Sequence, residues 1–79
     1  MFLHINQAEY LQGYQLKLQF NNGEVKQVDL EPELCGEVFE PLKEKEIFKD
    51  FFISHNTIEW KNGADFAPEF LYEIGQKIE

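Results

Sequence analysis

The stretch Tyr14-Gln15-Leu16-Lys17-Leu18-Gln19-Phe20-Asn21-Asn22-Gly23 decides the fold. From Tyr14 to Phe20 apolar and polar side chains alternate without a fault, the mark of a strand with one face on a core and one in water. Asn21-Asn22-Gly23 follows, and an Asn-Gly pair supplies the positive φ angles of a tight hairpin turn, so Glu24 to Leu30 reads as the returning strand. Val28 and Leu30 share its inner face. Val25 falls on the other phase, which requires a bulge near Lys26 or a second face that is half covered.

Outward toward the N-terminus, Phe2 to Ile5, extendable to Tyr10, reads as a strand at the edge of the same sheet, with Gln12-Gly13 as its turn. Toward the C-terminus, Pro32 ends the returning strand and Gly36 interrupts the helical turn expected between Glu33 and Phe39. Val38, Leu42, Ile47, Phe48 and Phe51 recur at spacings near three to five and predict a short amphipathic helix through Lys43 to Asp50, and Pro41 just before it is a residue that a first helical turn accepts. Phe51-Phe52-Ile53 predicts a buried strand, His55-Asn56 a two-residue turn, and Thr57 to Trp60 the partner strand, closed by Asn62-Gly63. Phe66, Phe70, Leu71, Ile74 and Ile78 form one stripe opposite Glu69, Glu73 and Lys77, predicting a C-terminal helix whose final turn Gly75 weakens. The expected fold class is α+β, a small antiparallel sheet built from hairpins with a short central helix and a C-terminal helix packed on it. Leu16, Leu18, Phe20, Leu30, Ile58, Phe70, Leu71 and Ile74 are the expected core.

A chain of 79 residues buries only about 60% of its unfolded surface, which suits one domain over 1–79. The apolar share of 43% and the eight Phe provide one compact core. Cys35 is the single cysteine, so no intramolecular disulfide staples the fold, and a cytoplasmic, reducing home is expected. His4, His55 and Cys35 lack the paired short spacings of a zinc site, so no metal or other cofactor is expected. The N-terminus has neither a basic leader nor a signal-length apolar run, and no stretch nears the roughly 20 apolar residues of a membrane span.

Charge narrows the partners. Fifteen acidic residues against seven lysines leave a net charge of −8, and arginine is absent. Affinity for nucleic acid comes largely from neutralised phosphates, so direct DNA or RNA binding is disfavoured. An acidic surface suits a basic protein partner, and it also serves solubility.

The run Ile58-Glu59-Trp60-Lys61-Asn62-Gly63-Ala64-Asp65-Phe66-Ala67-Pro68-Glu69-Phe70-Leu71-Tyr72 resembles the closing signature of the small bacterial family known as domain of unknown function 2442. The turn from Phe20 to Gly23 with Val28-Asp29-Leu30, and then Val38-Phe39-Glu40-Pro41-Leu42 with Phe48 after it, resemble the family's earlier motifs in the same order. The resemblance implies a short stand-alone protein, or a short domain beside a DNA-binding module, of a kind often encoded next to another small protein in a pair that looks like a toxin–antitoxin locus. It therefore implies a protein partner.

The candidate binding or motif residues are Asp29, Trp60, Asn62, Gly63, Asp65, Pro68 and Tyr72, and none is assigned a catalytic role. Asp65, between the Asn62-Gly63 turn and Pro68, is expected to cap the last helix. The sharper alternative pairs it with Asp29 for general acid–base work, which needs proximity. Trp60 and Tyr72 are expected to anchor the core with polar tips at the surface, the alternative being the flanks of a ligand groove. His4 and His55 are expected to face water, and Cys35 to be a small buried thiol. The expected function is a non-enzymatic protein-interaction module partnered by another small protein. Its rival is a small enzyme or ligand-binding protein using a groove near Asp29, Asp65 and Trp60.

Overall fold

The computed structural model describes residues 2–78. The alternating stretch forms β2, Gln15–Phe20, at the middle of a meander: β1, Ile5–Gln12, pairs with it antiparallel on one side and β3, Val25–Asp29, on the other. Leu16, Leu18 and Phe20 are fully buried, as their alternation requires. The Asn21-Asn22-Gly23 turn differs from the expected one. Only Gly23, at φ 90°, enters the left-handed region, and its amide donates to the Phe20 carbonyl at 3.0 Å. This is the geometry of a longer hairpin loop, in which one residue after an ordinary turn takes positive φ.

β3 carries no bulge: Leu16 faces Val28, Leu18 faces Lys26 and Gln19 faces Val25 in unbroken register. Of the two options for Val25, the half-covered outer face is the one realised. Lys26 occupies an inward-facing position beside Val28, which its long apolar stem permits, and its Nζ reaches the Tyr72 carbonyl at 2.7 Å. The irregularities lie in β1, between Ile5 and Gln7 and between Tyr10 and Gln12. β1 is an edge strand, as expected, but it begins at Ile5, and Phe2 is exposed. Asn21 explains that late start, because its side chain bonds the His4 amide and the Phe2 carbonyl in place of strand pairing.

The segment after β3 is irregular, with 3-10 turns at Glu31–Glu33 and Glu40–Lys43 and then a single helical turn, α1, Lys45–Phe48. Leu42 and Phe48 are buried, whereas Val38 and Ile47 stand 47% and 44% exposed, so the expected stripe is not one face. β4, Phe52–Ser54, and β5, Thr57–Glu59, form a separate hairpin through His55 and Asn56, both at positive φ. Phe52 and Ile53 are each 41% exposed, which corrects the expectation of a buried strand: β4 lies at the edge of a two-stranded ribbon.

The last helix, α2, Pro68–Ile74, stops at Gly75, and the chain re-enters the main sheet as β6, Gln76–Lys77, against β3. Gly75 therefore ends the helix outright. A side chain there would meet the Leu71 carbonyl, Lys26 Cβ and Val28 Cγ1, each at 3.0 Å, so only glycine lets the helix end lie this close to β3. The core comprises the expected Leu16, Leu18, Phe20, Leu30, Ile58 and Leu71, joined by Ile5, Val28, Leu34, Leu42, Phe48, Trp60, Ala64 and Phe66. Phe70 and Ile74 pack on it half-buried. The α+β class stands, with the order strand, strand, strand, short helix, hairpin, helix, short strand. Among the described residues no helix is long and apolar enough to cross a membrane.

Candidate functional site

The site grows from the end of β5. Trp60 and Ala64 close a tight loop in which the Trp60 amide donates to the Ala64 carbonyl and the Gly63 amide to the Trp60 carbonyl, both at 2.9 Å. Gly63 sits at φ 93°, where a side chain would be strained. Asn62 holds the loop in two directions. Its Oδ1 accepts from the Ala64 amide at 3.1 Å, and its Nδ2 donates to the Val38 carbonyl at 2.9 Å, tying the acidic segment down.

Trp60 is buried, its indole Nε1 donating to the Phe48 carbonyl at 2.8 Å. Phe48, Phe51 and Phe66 surround the ring at centroid distances of 5.7, 6.4 and 6.0 Å. These contacts fix the wall of a surface groove of about 320 Å³, lined by Pro41, Glu46, Ile47, Asp50, Trp60, Lys61 and Asn62. Its apolar members come from three elements, and Ile47 leaves its flank in water. Its charged rim is partly self-neutralised, with Lys61 Nζ 3.1 Å from Asp50 Oδ2. The groove belongs to the most acidic part of the chain: residues 29–50 hold eight carboxylates and three lysines, a net −5.

The other expected site residues lie elsewhere. Tyr72, half-buried on α2, donates its hydroxyl to Glu24 Oε2 at 2.7 Å, and Lys26 Nζ lies 3.6 Å above its ring. Accepting that hydrogen bond, the Glu24 carboxylate holds the phenol above its ordinary value, and burial adds in the same direction. Trp60 and Tyr72 are both core anchors as expected, and Tyr72 has its polar tip toward the surface, but Trp60 does not: its indole N–H is buried on the Phe48 carbonyl. Pro68 opens α2 at its first turn, where its missing N–H costs nothing. Asp65 does not cap that helix: the N-cap is Ala67, with no side-chain cap hydrogen bond. Extended pairing takes Asp65 instead, in an isolated antiparallel bridge with Glu59, and its side chain is exposed.

Asp29 stands at the end of β3, its Oδ1 accepting from the Glu31 amide at 3.1 Å. It lines a polar depression with Gln15, Gln27, Ile74 and Gln76, whereas Trp60 lines the groove beside Ile47. Asp29, Asp65 and Trp60 therefore do not converge on one groove. Cys35 is exposed, contrary to the expected buried thiol, because it follows a 3-10 turn on the irregular surface segment. His55 is exposed as expected, its Nδ1 3.0 Å from Ser54 Oγ and 3.5 Å from Glu59 Oε1. Among the described residues no three His, Cys, Asp or Glu side chains are grouped to hold a metal ion.

The outer sheet face carries a further depression of about 610 Å³, lined by Asn6, Gln7, Ala8, Glu9, Lys17, Gln19, Val25 and Ile53. Its lining is mostly amide and charged side chains, and Glu9 and Lys17 face each other there at 3.7 Å. Sequence reasoning missed this depression and, of the groove, the side made by Pro41, Ile47 and Asp50. Ile47 was hidden inside an expected helical stripe, with Pro41 and Asp50 at the ends of that segment, and the misfit of Ile47 to any one face was the available signal.

The model of the family described as protein of unknown function (DUF2442) matches residues 5–77. No curated protein and no solved structure matches the chain.

Proposed function

The chain belongs to the DUF2442 family, and on that premise we propose that it is a non-catalytic interaction module that binds a small basic protein. The observation that carries this reading is the coincidence of exposed aliphatic surface with concentrated negative charge: Val38 and Ile47 stand out of the segment that bears a net −5. Apolar surface gives an interface its affinity, and a surrounding field of one sign selects a partner of the other and speeds encounter. The paired small gene that the family resemblance implies is a source of such a partner.

The test is affinity purification from the native host at low and at about 0.5 M salt, where screening shortens the reach of surface charge. A Glu37→Lys, Glu44→Lys, Glu46→Lys variant of unchanged circular dichroism serves as the comparison. The expected result is one small, positively charged protein held in stoichiometric amount by the parent, released by salt and lost from the variant. Failure to retain such a protein, or retention indifferent to both changes, overturns the reading.

A further inference from the structure

The groove between α1 and the Trp60–Asn62 loop has the features of a particular docking slot. Pro41 and Ile47 give it exposed apolar walls over a floor closed by the buried Trp60, with carboxylates at Glu46 and Asp50 on its rim. Its volume of about 320 Å³ falls at the low end for small-molecule pockets, which run about 300–1,000 Å³. One protein side chain on a larger surface fits it better. The rim chooses the sign of what lies beside that side chain. Glu46 is 88% exposed at its side chain and is only loosely paired, 4.0 Å from Lys49, so a cation has open access to it. Asp50 is different: Lys61 of the same chain already occupies it at 3.1 Å. Lys61 extends from the loop that Asn62 anchors, and it stands where a partner's basic group would stand.

We infer that this groove docks a basic amphipathic helix of the partner protein, one aliphatic side chain entering between Ile47 and Pro41 while flanking lysine or arginine side chains meet Glu46 and Asp50. The mode is a helix laid along a hydrophobic groove, with charge setting orientation. It rests on the interaction-module reading and adds the place and the chemistry of the contact. Lys61 is then an internal competitor, displaced from Asp50 when the partner binds. An exposed ion pair of this kind contributes little to folding, so removing Lys61 leaves the fold intact while freeing Asp50.

The test uses isotope-labelled protein and two synthetic amphipathic peptides of about 18 residues, five helical turns. One is built from leucine and lysine, the other from leucine and glutamate. The lysine peptide is expected to shift the Trp60 indole, Ile47 and Asn62 side-chain resonances, and the glutamate peptide to leave them unmoved. Ile47→Glu is expected to weaken the lysine peptide tenfold or more with an unchanged melting temperature. Lys61→Ala is expected to strengthen it by about two- to fivefold, the span of an exposed ion pair. Shifts confined to the outer sheet face around Gln19 and Ile53, equal binding of both peptides, or Ile47→Glu binding like the parent each overturn the groove assignment. Those outcomes do not touch the module reading, which falls instead if the native host yields no basic partner.

Discussion

The indole Nε1 of Trp60 donates to the carbonyl oxygen of Phe48 at 2.8 Å, so the end of β5 and the end of α1 are held as one unit. Both rings are buried, and the bond satisfies a carbonyl that water cannot reach. Trp60→Phe keeps most of the apolar volume and deletes the donor. The expected cost is about 1–3 kcal/mol for the stranded carbonyl, plus the small cavity left by the indole. Urea unfolding measures it, and an unchanged midpoint contradicts it.

The Asn62 side chain makes two hydrogen bonds, donating to the Val38 carbonyl and accepting from the Ala64 amide. Asn62→Ala is expected to destabilise by about 1–2 kcal/mol, near the usual value of a hydrogen bond for each lost. Asn62→Asp keeps the acceptor for Ala64 but sets a carboxylate oxygen against the Val38 carbonyl, so its midpoint should also fall below that of the parent. An aspartate variant as stable as the parent would contradict the contribution of the Val38 bond.

Asp65 is exposed and makes no cap. Asp65→Ala and Asp65→Asn are therefore both expected within about 0.5 kcal/mol of the parent, the range of ordinary surface substitutions. Thermal unfolding of the three proteins decides it. A selective loss in Asp65→Ala would restore a capping role.

Tyr72 carries a pH dependence whose sign follows from its raised pKa. Above the ordinary value of 10.0 the unfolded chain has released the phenolic proton while the folded chain, bonded to Glu24, retains it. The folded state then binds more protons, and stability falls as pH rises through the folded value; below the ordinary value the contribution is fully present. Urea midpoints measured at about pH 9 and about pH 11 should drop for the parent, and drop less for Tyr72→Phe, which keeps the ring under Lys26. Equal drops would remove Tyr72 as the source.

The β2–β3 hairpin at the centre of the main sheet was legible because Leu16, Leu18 and Phe20 sit on a strict two-residue period and Asn22-Gly23 marks the reversal. The His55-Asn56 turn was equally plain. Lys26 was not, since a lysine facing the core breaks the pattern unless its stem can lie along α2 and its ammonium can reach Tyr72. Nor was β6, whose two residues have no periodicity and owe their pairing to the place where Gly75 stops the helix. Trp60 and Asn62 stood out by the motif they share, but their effect depends on Phe48 and Val38, which are 12 and 24 residues away in the chain. Local pattern carries no record of such partners. Asp65 misled because aspartate before proline suits a helix cap, while the extended pairing with Glu59 is tertiary.

The central claim is that the chain binds a basic protein through the face that carries Ile47. Its most direct test is recovery of the native partner on the parent and on Ile47→Glu side by side, both shown to be folded by circular dichroism and to melt alike. The expected result is the same small basic protein in stoichiometric amount on the parent and its loss from the variant. Equal recovery on both, or no basic protein on the parent, would contradict it.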